Sequence, residues 1–169
     1  ALGSAFLDLL AEAVWHRPFT EVHEREIRRM KARVERERIP PGEDPEFHLK
    51  LGRGSLSDVE WTVQLLQLRT GIRAPSTIDA LDALATAGAL GVEDAEVLRA
   101  AYRFCERARN RWWLVGSGPA AADALPQRPT ELSHLARSLD TTSRELREDY
   151  RRVTRRARRV VERLFYGTS

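Results

Sequence analysis

The chain has 169 residues and a mass of 19.2 kDa, which suits one domain with a hydrophobic core and is short for a two-domain enzyme. Apolar residues make up 42% and charged residues 31%, which argues against disorder, and a formal net charge of only +3 gives little attraction to nucleic acid. No apolar run reaches the roughly 20 residues of a membrane-spanning helix, and the single cysteine excludes an internal disulfide and a cysteine-based zinc site, so we expect a cytoplasmic protein.

The spacing of apolar residues predicts helices throughout, because nothing alternates with period two for long enough to form a strand. The first helix ends before Pro18, and its apolar stripe comprises Leu2, Phe6, Leu9, Leu10 and Ala13. The second helix covers about 21–38 and is strongly charged. Its apolar residues at helical spacing are only Ile27, Met30 and Val34, so its buried face should be narrow. The prolines and glycine in 40–45 break it.

The third helix has the clearest start in the sequence. Ser57, Asp58 and Glu60 fit a capping box, in which the serine hydroxyl and the glutamate carboxylate accept hydrogen bonds from otherwise unpaired amides. The apolar residues that follow lie on two adjoining strips and predict burial on more than one side: Val59, Val63 and Leu66, with Trp61, Leu65 and Leu68. We expect the third and fifth helices to form the centre of the fold.

Two further helices complete this central part. The fourth covers about 77–87 and ends at Gly88, a typical left-handed C-cap. The fifth runs over about 93–113, and its inner side comprises Val97, Leu98, Ala101, Phe104, Cys105, Ala108 and Trp112. Adjacent residues of a helix point about 100° apart, so Trp113 should not share the core with Trp112.

The C-terminal part begins with the segment 116–129, whose glycines, prolines and alanines predict a flexible surface loop. A short helix over about 130–139 follows, and a second capping box from Thr142 to Glu145 opens the last helix. The apolar residues of that helix recur at spacings of four and three: Leu146, Tyr150, Val153, Ala157, Val160 and Leu164. The sequence therefore predicts an all-α protein, a compact bundle of about six or seven helices.

The stretch 48–61 is the most informative for function. Gly52 and Gly54 directly precede a helix N-terminus, and Lys50 and Arg53 flank the turn, so a phosphate could bind there. Acidic residues at the start of the helix favour the alternative, because they satisfy the helix dipole and would repel an anion. The glycine spacing matches neither a P-loop nor a dinucleotide-binding fingerprint. Both interpretations remain open on the spacing alone.

The same run, 50–61, resembles the signature of the helical domain that follows the nucleotidyltransferase domain in glutamine synthetase adenylyltransferases. That pattern is a lysine, a Gly-Arg-Gly-Gly turn, and then an acidic residue, an aliphatic residue and a glutamate before an aromatic residue. Ser55 stands where the family has a further glycine, and serine adopts a left-handed backbone reluctantly. Other segments resemble actinobacterial members: 63–69, 80–88, 101–103 with 109–111, and 149–153 with 165–167. Residues 26–35 resemble their linker from the catalytic domain.

The resemblance implies the C-terminal helical domain of a bifunctional enzyme. The family transfers AMP from ATP to a tyrosine of glutamine synthetase and removes it by phosphorolysis, on two nucleotidyltransferase domains that hold magnesium through paired carboxylates. This chain has no Gly-Ser turn followed by Asp-x-Asp, and its pairs Glu43–Asp44 and Glu93–Asp94 lack that framing. We therefore expect a single accessory domain that has no metal or cofactor of its own and is inactive alone. Its parts would be 1–39, linking to the absent nucleotidyltransferase domain, 46–115 and 130–166.

Within this expectation, Lys50 and Arg53, with the neighbouring Gly52 and Gly54, form the candidate site. The two cations would face the nucleotidyltransferase domain and either pair with its carboxylates or contact the triphosphate. Alternatively, Arg53 only ties the turn to Asp58 or Glu60. Besides the absent domain, the resemblance implies glutamine synthetase as a partner, with the PII signalling protein as a further candidate.

The arginine-rich face of the last helix suggests an alternative function, that of a basic helical module that binds nucleic acid or protein. Acidic residues interleave with these arginines and can pair with them along the helix: Glu145, Glu148, Asp149 and Glu162. A solvent-exposed face with salt bridges is therefore the favoured interpretation, and nucleic acid is not expected as a partner. The four histidines, His16, His23, His48 and His134, show no i, i+4 pair, so no histidine metal site is expected.

Overall fold

The computed structural model describes residues 2–16, 18–39, 44–116 and 122–167. These residues contain no β-strand and seven α-helices: α1 (Leu2–Trp15), α2 (Glu21–Glu37), α3 (Leu56–Thr70), α4 (Thr77–Thr86), α5 (Val92–Val115), α6 (Pro129–Ser138) and α7 (Ser143–Val161). A 3₁₀ turn, Pro45–Phe47, precedes α3, and α7 continues into a π-helical turn, Glu162–Tyr166. The predicted all-α bundle of six or seven helices is confirmed. None of the helices described is long and apolar enough to cross a lipid bilayer.

Two clusters of buried apolar side chains form the core. The first lies between α3, α4 and the adjoining halves of α5 and α7, and the second between the segment 47–56, α6 and the other halves of α5 and α7. Because α5 and α7 border both clusters and share the most extensive contact, the centre of the bundle is the α5–α7 pair. The predicted centre was the pair of the third and fifth helices. In the structure α7 takes the place that was expected for α3, and α3 packs against the α5–α7 pair.

The inner side of α5 is as predicted. Leu98, Ala101, Cys105 and Ala108 are buried, whereas the two adjacent tryptophans of the last turn differ. Trp112 is 3% exposed and Trp113 is 53% exposed, because neighbouring positions of a helix face different directions. The prediction that only one tryptophan belongs to the core is confirmed.

Helices α1 and α2 pack differently from the prediction. The apolar stripe of α1 is largely exposed in the structure, with Phe6 at 62% and Leu9 at 67% exposure. On α2, Met30 was predicted to face the core and is 53% exposed, so that prediction is wrong, whereas the adjacent Lys31 is 1% exposed. The reason is that α2 contacts the bundle mainly through polar groups. Arg28, for example, donates from Nε to the carbonyl of Phe165 at 2.5 Å.

The two predicted capping boxes have opposite outcomes. The one at the start of α7 is confirmed, because the Thr142 hydroxyl accepts from the Glu145 amide at 3.2 Å and the Glu145 carboxylate accepts from the Thr142 amide at 3.0 Å. The one at Ser57 is wrong. The N-cap of α3 is Ser55, which places Ser57 inside the first turn, and the Ser55 hydroxyl donates to the carbonyl of Gly52 at 2.6 Å.

Two predicted loops lie only partly within the described residues. Residues 40–43, which were predicted to break the second helix, and residues 117–121 are outside them. The described end of the segment 116–129 is not a flexible surface loop, because Ala122 and Leu125 are buried in the second core cluster. The Leu125 amide also donates to the carbonyl of Phe47 at 2.9 Å, which ties this segment to the residues that precede α3.

Candidate functional site

The candidate site is the turn 48–55, which leads into α3 and packs against α7. Gly54 has a left-handed backbone with φ of 75°, and a β-carbon there would lie 2.8 Å from the carbonyl carbon of Thr154 on α7. A β-carbon on Gly52 would lie 2.8 Å from the hydroxyl of Tyr150. Gly54 is therefore required by the close approach of the turn to the backbone of α7, whereas Gly52 is required mainly because a β-carbon there would collide with the carbonyl of His48 within the turn. Ser55 is extended, with φ of −91°, so this position needs no further glycine.

Four successive backbone amides at the end of the turn and the start of α3 are already paired within the protein. The Gly54 amide donates to the Asp58 carboxylate at 2.7 Å and the Ser55 amide to the carbonyl of Gly52 at 3.1 Å. The next two amides, of Leu56 and Ser57, donate to the carbonyls of Leu49 and Lys50 at 3.2 and 2.9 Å. An anion at this turn would therefore be held by side chains and not by the four amides that a phosphate-binding turn would offer.

The buried His48 holds the turn together through hydrogen bonds. Its Nδ1 accepts from the amides of Lys50 and Leu51 at 3.2 and 3.0 Å, and its carbonyl accepts from the Gly52 amide at 2.9 Å and from the Tyr150 hydroxyl at 3.2 Å. Burial lowers the pKa of this imidazole, which agrees with an Nδ1 that acts as an acceptor. His48 was considered only as a possible metal ligand, so its role as the centre of the turn was missed.

Asp58 lies at the centre of a buried ionic cluster. Its carboxylate pairs with the ammonium of Lys31 from α2 and accepts from Arg158 Nη1 of α7 at 3.0 Å, in addition to the Gly54 amide. Burial by itself raises the pKa of Asp58, but the charge and hydrogen bond of Lys31, the Gly54 amide and the charge of Arg158 together hold it below the usual value. The cluster therefore joins α2, the glycine turn and α7 through one carboxylate.

Lys31 is the cationic partner that makes this cluster unusual. Its side chain is 1% exposed, and its ammonium also pairs with Glu35, one turn further along α2. Burial alone lowers the pKa of Lys31, but the charge of Asp58 and the bonds to both carboxylates raise it overall. A buried charge of this kind is tolerated only where it is paired, so α2 is held in one position by its carboxylate partners.

Glu60 lies on the other side of the turn from this cluster. It is half-buried and accepts from the Tyr102 hydroxyl at 3.4 Å. Burial raises the pKa of Glu60, although the Tyr102 bond and the charges of Lys50 and Arg109 act in the opposite direction. Neither Glu60 nor Asp58 pairs with Arg53 in the structure. Asp58 is bound to two other cations, and Glu60 accepts from Tyr102.

The two predicted cations lie on different sides of the turn. Lys50 is half-exposed, its Nζ is 3.8 Å from the Asp123 carboxylate, and its amide donates to the Asp123 carbonyl at 3.2 Å. The Asp123 carboxylate also accepts from Arg109 Nε at 2.6 Å. Arg53 is exposed and lines a cleft on the opposite side, which Lys50 does not reach. The structure therefore places the two cations beside one turn but not in one pocket.

The cleft beside Arg53 has a volume of about 1160 Å³. Its walls are the C-terminal half of α2, the glycine turn and the middle of α7. Four arginines line it, together with two glutamates and several apolar residues: Arg36, Arg53, Arg151, Arg155, Glu35, Glu46, Ala32, Ile39, Pro45, Leu51, Gly52, Tyr150 and Thr154. This pattern favours an anionic ligand with some apolar surface.

The arginine face of α7 carries two of the predicted salt bridges along the helix and one to a neighbouring helix. Arg152 pairs with Asp149 at 2.5 Å along the helix, and Arg158 donates from Nε to Glu162 at 2.8 Å. Arg163 reaches Asp94 on α5 at 2.6 Å. This arrangement favours the salt-bridged interpretation over a continuous basic surface for nucleic acid.

The carboxylates do not converge on a possible metal site in the part of the chain that the structure describes. There, no group of three or more His, Cys, Asp or Glu side chains could hold a metal ion. Of the two predicted carboxylate pairs, Glu43 lies outside the described residues and Asp94 is paired with Arg163.

Comparison with known proteins gives both a family and close relatives. The model of the family described as GlnD PII-uridylyltransferase matches residues 22–167. The bifunctional glutamine synthetase adenylyltransferase/adenylyl-removing enzyme of Leifsonia xyli subsp. xyli is 47% identical over 175 residues, which cover 99% of this chain and 17% of that protein. The proteins of the same description from Streptomyces avermitilis and Corynebacterium diphtheriae are 49% and 41% identical, over 85% and 98% of this chain and 15% and 16% of theirs. The chain thus spans 15–17% of the length of these relatives.

Proposed function

The chain belongs to the GlnD PII-uridylyltransferase family, and on that premise we propose that it is a helical accessory domain of a glutamine synthetase adenylyltransferase/adenylyl-removing enzyme. In this proposal it supports AMP transfer from ATP to a tyrosine of glutamine synthetase, and the phosphorolytic removal of AMP, by docking on the nucleotidyltransferase domain. The observation that carries the proposal is the alignment of almost the whole chain with one segment of relatives of that description, and the resemblance drawn from the run 50–61 is confirmed by it.

We assign ATP and magnesium to the nucleotidyltransferase domain outside this chain. Metal-assisted transfer of a nucleotidyl group requires carboxylates that converge on magnesium. The prominent carboxylates here are engaged in structural pairs instead. Asp58 binds Lys31 and Arg158, and Asp123 binds Arg109. This supports a chain that takes no catalytic step by itself, with residues 1–39 leading towards the catalytic domain and 46–115 and 130–166 forming the folded body.

We infer that the side chains of Lys50 and Arg53 face the nucleotidyltransferase domain, where they pair with its carboxylates or contact the triphosphate. Their exposure supports this role, and so does the rigid turn that carries them. Gly52 and Gly54 serve the same site indirectly, Gly52 by letting the turn close on the His48 carbonyl and Gly54 by letting it approach α7, and Asp58 binds the Gly54 amide within the turn. Glutamine synthetase is the proposed protein substrate, the PII signalling protein a further proposed partner, and the cytoplasm the proposed location.

The proposal is tested in the full-length enzyme with Lys50→Ala and Arg53→Ala, each alone. Arg103→Ala is the matched control, because Arg103 is an exposed arginine on α5. We expect AMP transfer to glutamine synthetase to fall by about tenfold in at least one test variant, since losing a charge-assisted contact costs about 1.4 kcal/mol. The melting temperature should not change, because neither side chain is buried. Normal transfer rates in both variants, with normal melting, would contradict the proposed roles.

A further inference from the structure

We propose that the arginine-lined cleft between α2, the glycine turn and α7 is a receptor for an acidic, partly apolar segment of the nucleotidyltransferase domain of the same polypeptide. This inference rests on the proposed function and adds to it the surface that makes the contact and the chemistry of its partner. It differs from the proposed role of Lys50, whose ammonium lies outside the cleft beside Asp123.

The charge of the cleft favours a carboxylate-bearing ligand. Its four arginines outnumber its two glutamates. The pair of Glu46 with Arg151 at 2.8 Å neutralises one of each, which leaves three arginines against Glu35. Arg155 donates from Nε to the carbonyl of Arg151 at 3.1 Å, which fixes the side chain at the wall. Arg36 and Arg53 are exposed at the same opening. Guanidinium groups bind carboxylates through two parallel hydrogen bonds, so this arrangement suits several acidic side chains at once.

The size and the apolar lining favour a polypeptide segment over a small anion. The volume of about 1160 Å³ exceeds the roughly 300–1,000 Å³ of typical small-molecule sites. Apolar atoms of Ile39, Pro45 and Leu51 form part of the wall. A phosphate or a triphosphate would leave these surfaces in contact with water, whereas a segment with alternating acidic and apolar side chains would cover both kinds of wall.

The position of α2 favours an occupant from the same polypeptide. This helix forms one wall of the cleft, and the pairing of Lys31 with Asp58 fixes that wall against the turn. Most of the length of the relatives lies outside this chain, and in the proposed function residues 1–39 lead towards the catalytic domain. A domain tethered through α2 is present at a high effective concentration beside the cleft, so even a weak contact would be populated.

The test is site-specific photo-cross-linking in the purified full-length enzyme. Ala32→p-benzoylphenylalanine places the cross-linker in the cleft, at an exposed position of α2, and Arg103→p-benzoylphenylalanine on α5 is the control. We expect Ala32 to cross-link to a segment of the nucleotidyltransferase domain that is rich in aspartate and glutamate. Adding Arg53→Glu and Arg155→Glu should lower that yield at least about fivefold, and raising the salt concentration should lower it as well, because close opposite charges are screened.

Three outcomes would overturn the inference. These are cross-links from Ala32 only within this chain, cross-links to a segment without acidic residues, and a yield that does not respond to the two charge reversals. If the nucleotidyltransferase domain cross-links from Arg103 and not from Ala32, the cleft is not the receptor, whereas docking itself is supported. Failure of the proposed roles of Lys50 and Arg53 is recognised separately, by normal AMP transfer in the Lys50→Ala and Arg53→Ala enzymes.

Discussion

Replacing Asp58 by asparagine removes one negative charge from the buried ionic cluster and keeps the shape of the side chain. Asparagine can still accept a hydrogen bond from the Gly54 amide, which Asp58 binds at 2.7 Å. It cannot balance Lys31, which is 1% exposed, or Arg158, whose Nη1 lies 3.0 Å from the carboxylate. Two cations would then be left with only their outer partners, Glu35 and Glu162.

The cost of Asp58→Asn follows from the burial of the pair. Removing one partner of a buried ion pair costs about 3–5 kcal/mol, because the remaining charge stays buried without compensation. The retained bond between Lys31 and Glu35 places the expected value near the lower end, about 3 kcal/mol. With a urea dependence of about 2 kcal/mol/M, the unfolding midpoint should fall by about 1.5 M. The expected loss of about 3 kcal/mol is a large share of the free energy of unfolding of a typical domain, which is roughly 5–15 kcal/mol.

The assay is equilibrium unfolding in urea, followed by circular dichroism at neutral pH. Asp149→Asn is the control, because Asp149 pairs with Arg152 at 2.5 Å where both side chains are about half-exposed, and such pairs contribute about 0–1 kcal/mol. The double variant Lys31→Met, Asp58→Asn should lose less stability than the sum of its single variants, since no unpaired lysine remains. A loss below about 1 kcal/mol in Asp58→Asn would refute the ionic account of how α2 is held.

Three further results are expected. Gly54→Ala should lower the free energy of unfolding in urea by more than about 3 kcal/mol, because the new β-carbon would collide with the backbone of α7. Gly88→Ala is the control and should cost only about 1 kcal/mol, because Gly88 has φ of 69° but open space around it. Equal losses in the two variants would contradict the packing argument. Burial lowers the pKa of His48, so wild-type stability should be intact above about pH 6.5 and fall, by up to about 1.4 kcal/mol per unit, as pH drops towards the folded pKa. When stability is measured by thermal melting at several pH values, His48→Asn should lack this dependence on pH, whereas the control His134→Asn should retain it. An unchanged pH dependence in His48→Asn would contradict the prediction. Burial raises the pKa of Cys105 to about 12, so iodoacetamide at pH 8 should alkylate the native protein at least about a hundredfold more slowly than the urea-unfolded protein, and comparable rates would place the thiol at the surface.

What the sequence predicts well here depends on residues close together in the chain. The Thr142–Glu145 capping box and the inner side of α5 follow from contacts within one or two helical turns, and both are confirmed. The start of α3 shows the limit of local patterns. Both Ser55 and Ser57 are followed three residues later by an acidic residue, so both fit a capping box. Hydrogen bonds from the turn back to residues 48–50 decide between them.

The ionic cluster depends on residues that are far apart in the sequence. Lys31 and Asp58 are separated by 27 positions, and Asp58 and Arg158 by 100. No periodicity connects such positions, and a lysine in a charged helix is expected to be solvated, so Met30 was assigned to the buried face instead. The arginine cleft was missed for the same reason, because its walls come from α2, the turn and α7. The local pattern indicated only Arg53.

The tight fit of the glycine turn against α7 has a consequence for how substitutions at this turn should be interpreted. Side chains are sterically excluded at two positions, while the side chain between them is exposed at the wall of the cleft. In a saturation library of the intact enzyme, folding alone would restrict positions 52 and 54 to glycine and would accept almost any residue at 53. An enrichment of arginine at position 53 among functional clones would therefore report selection for activity alone, because folding does not select the residue at this position.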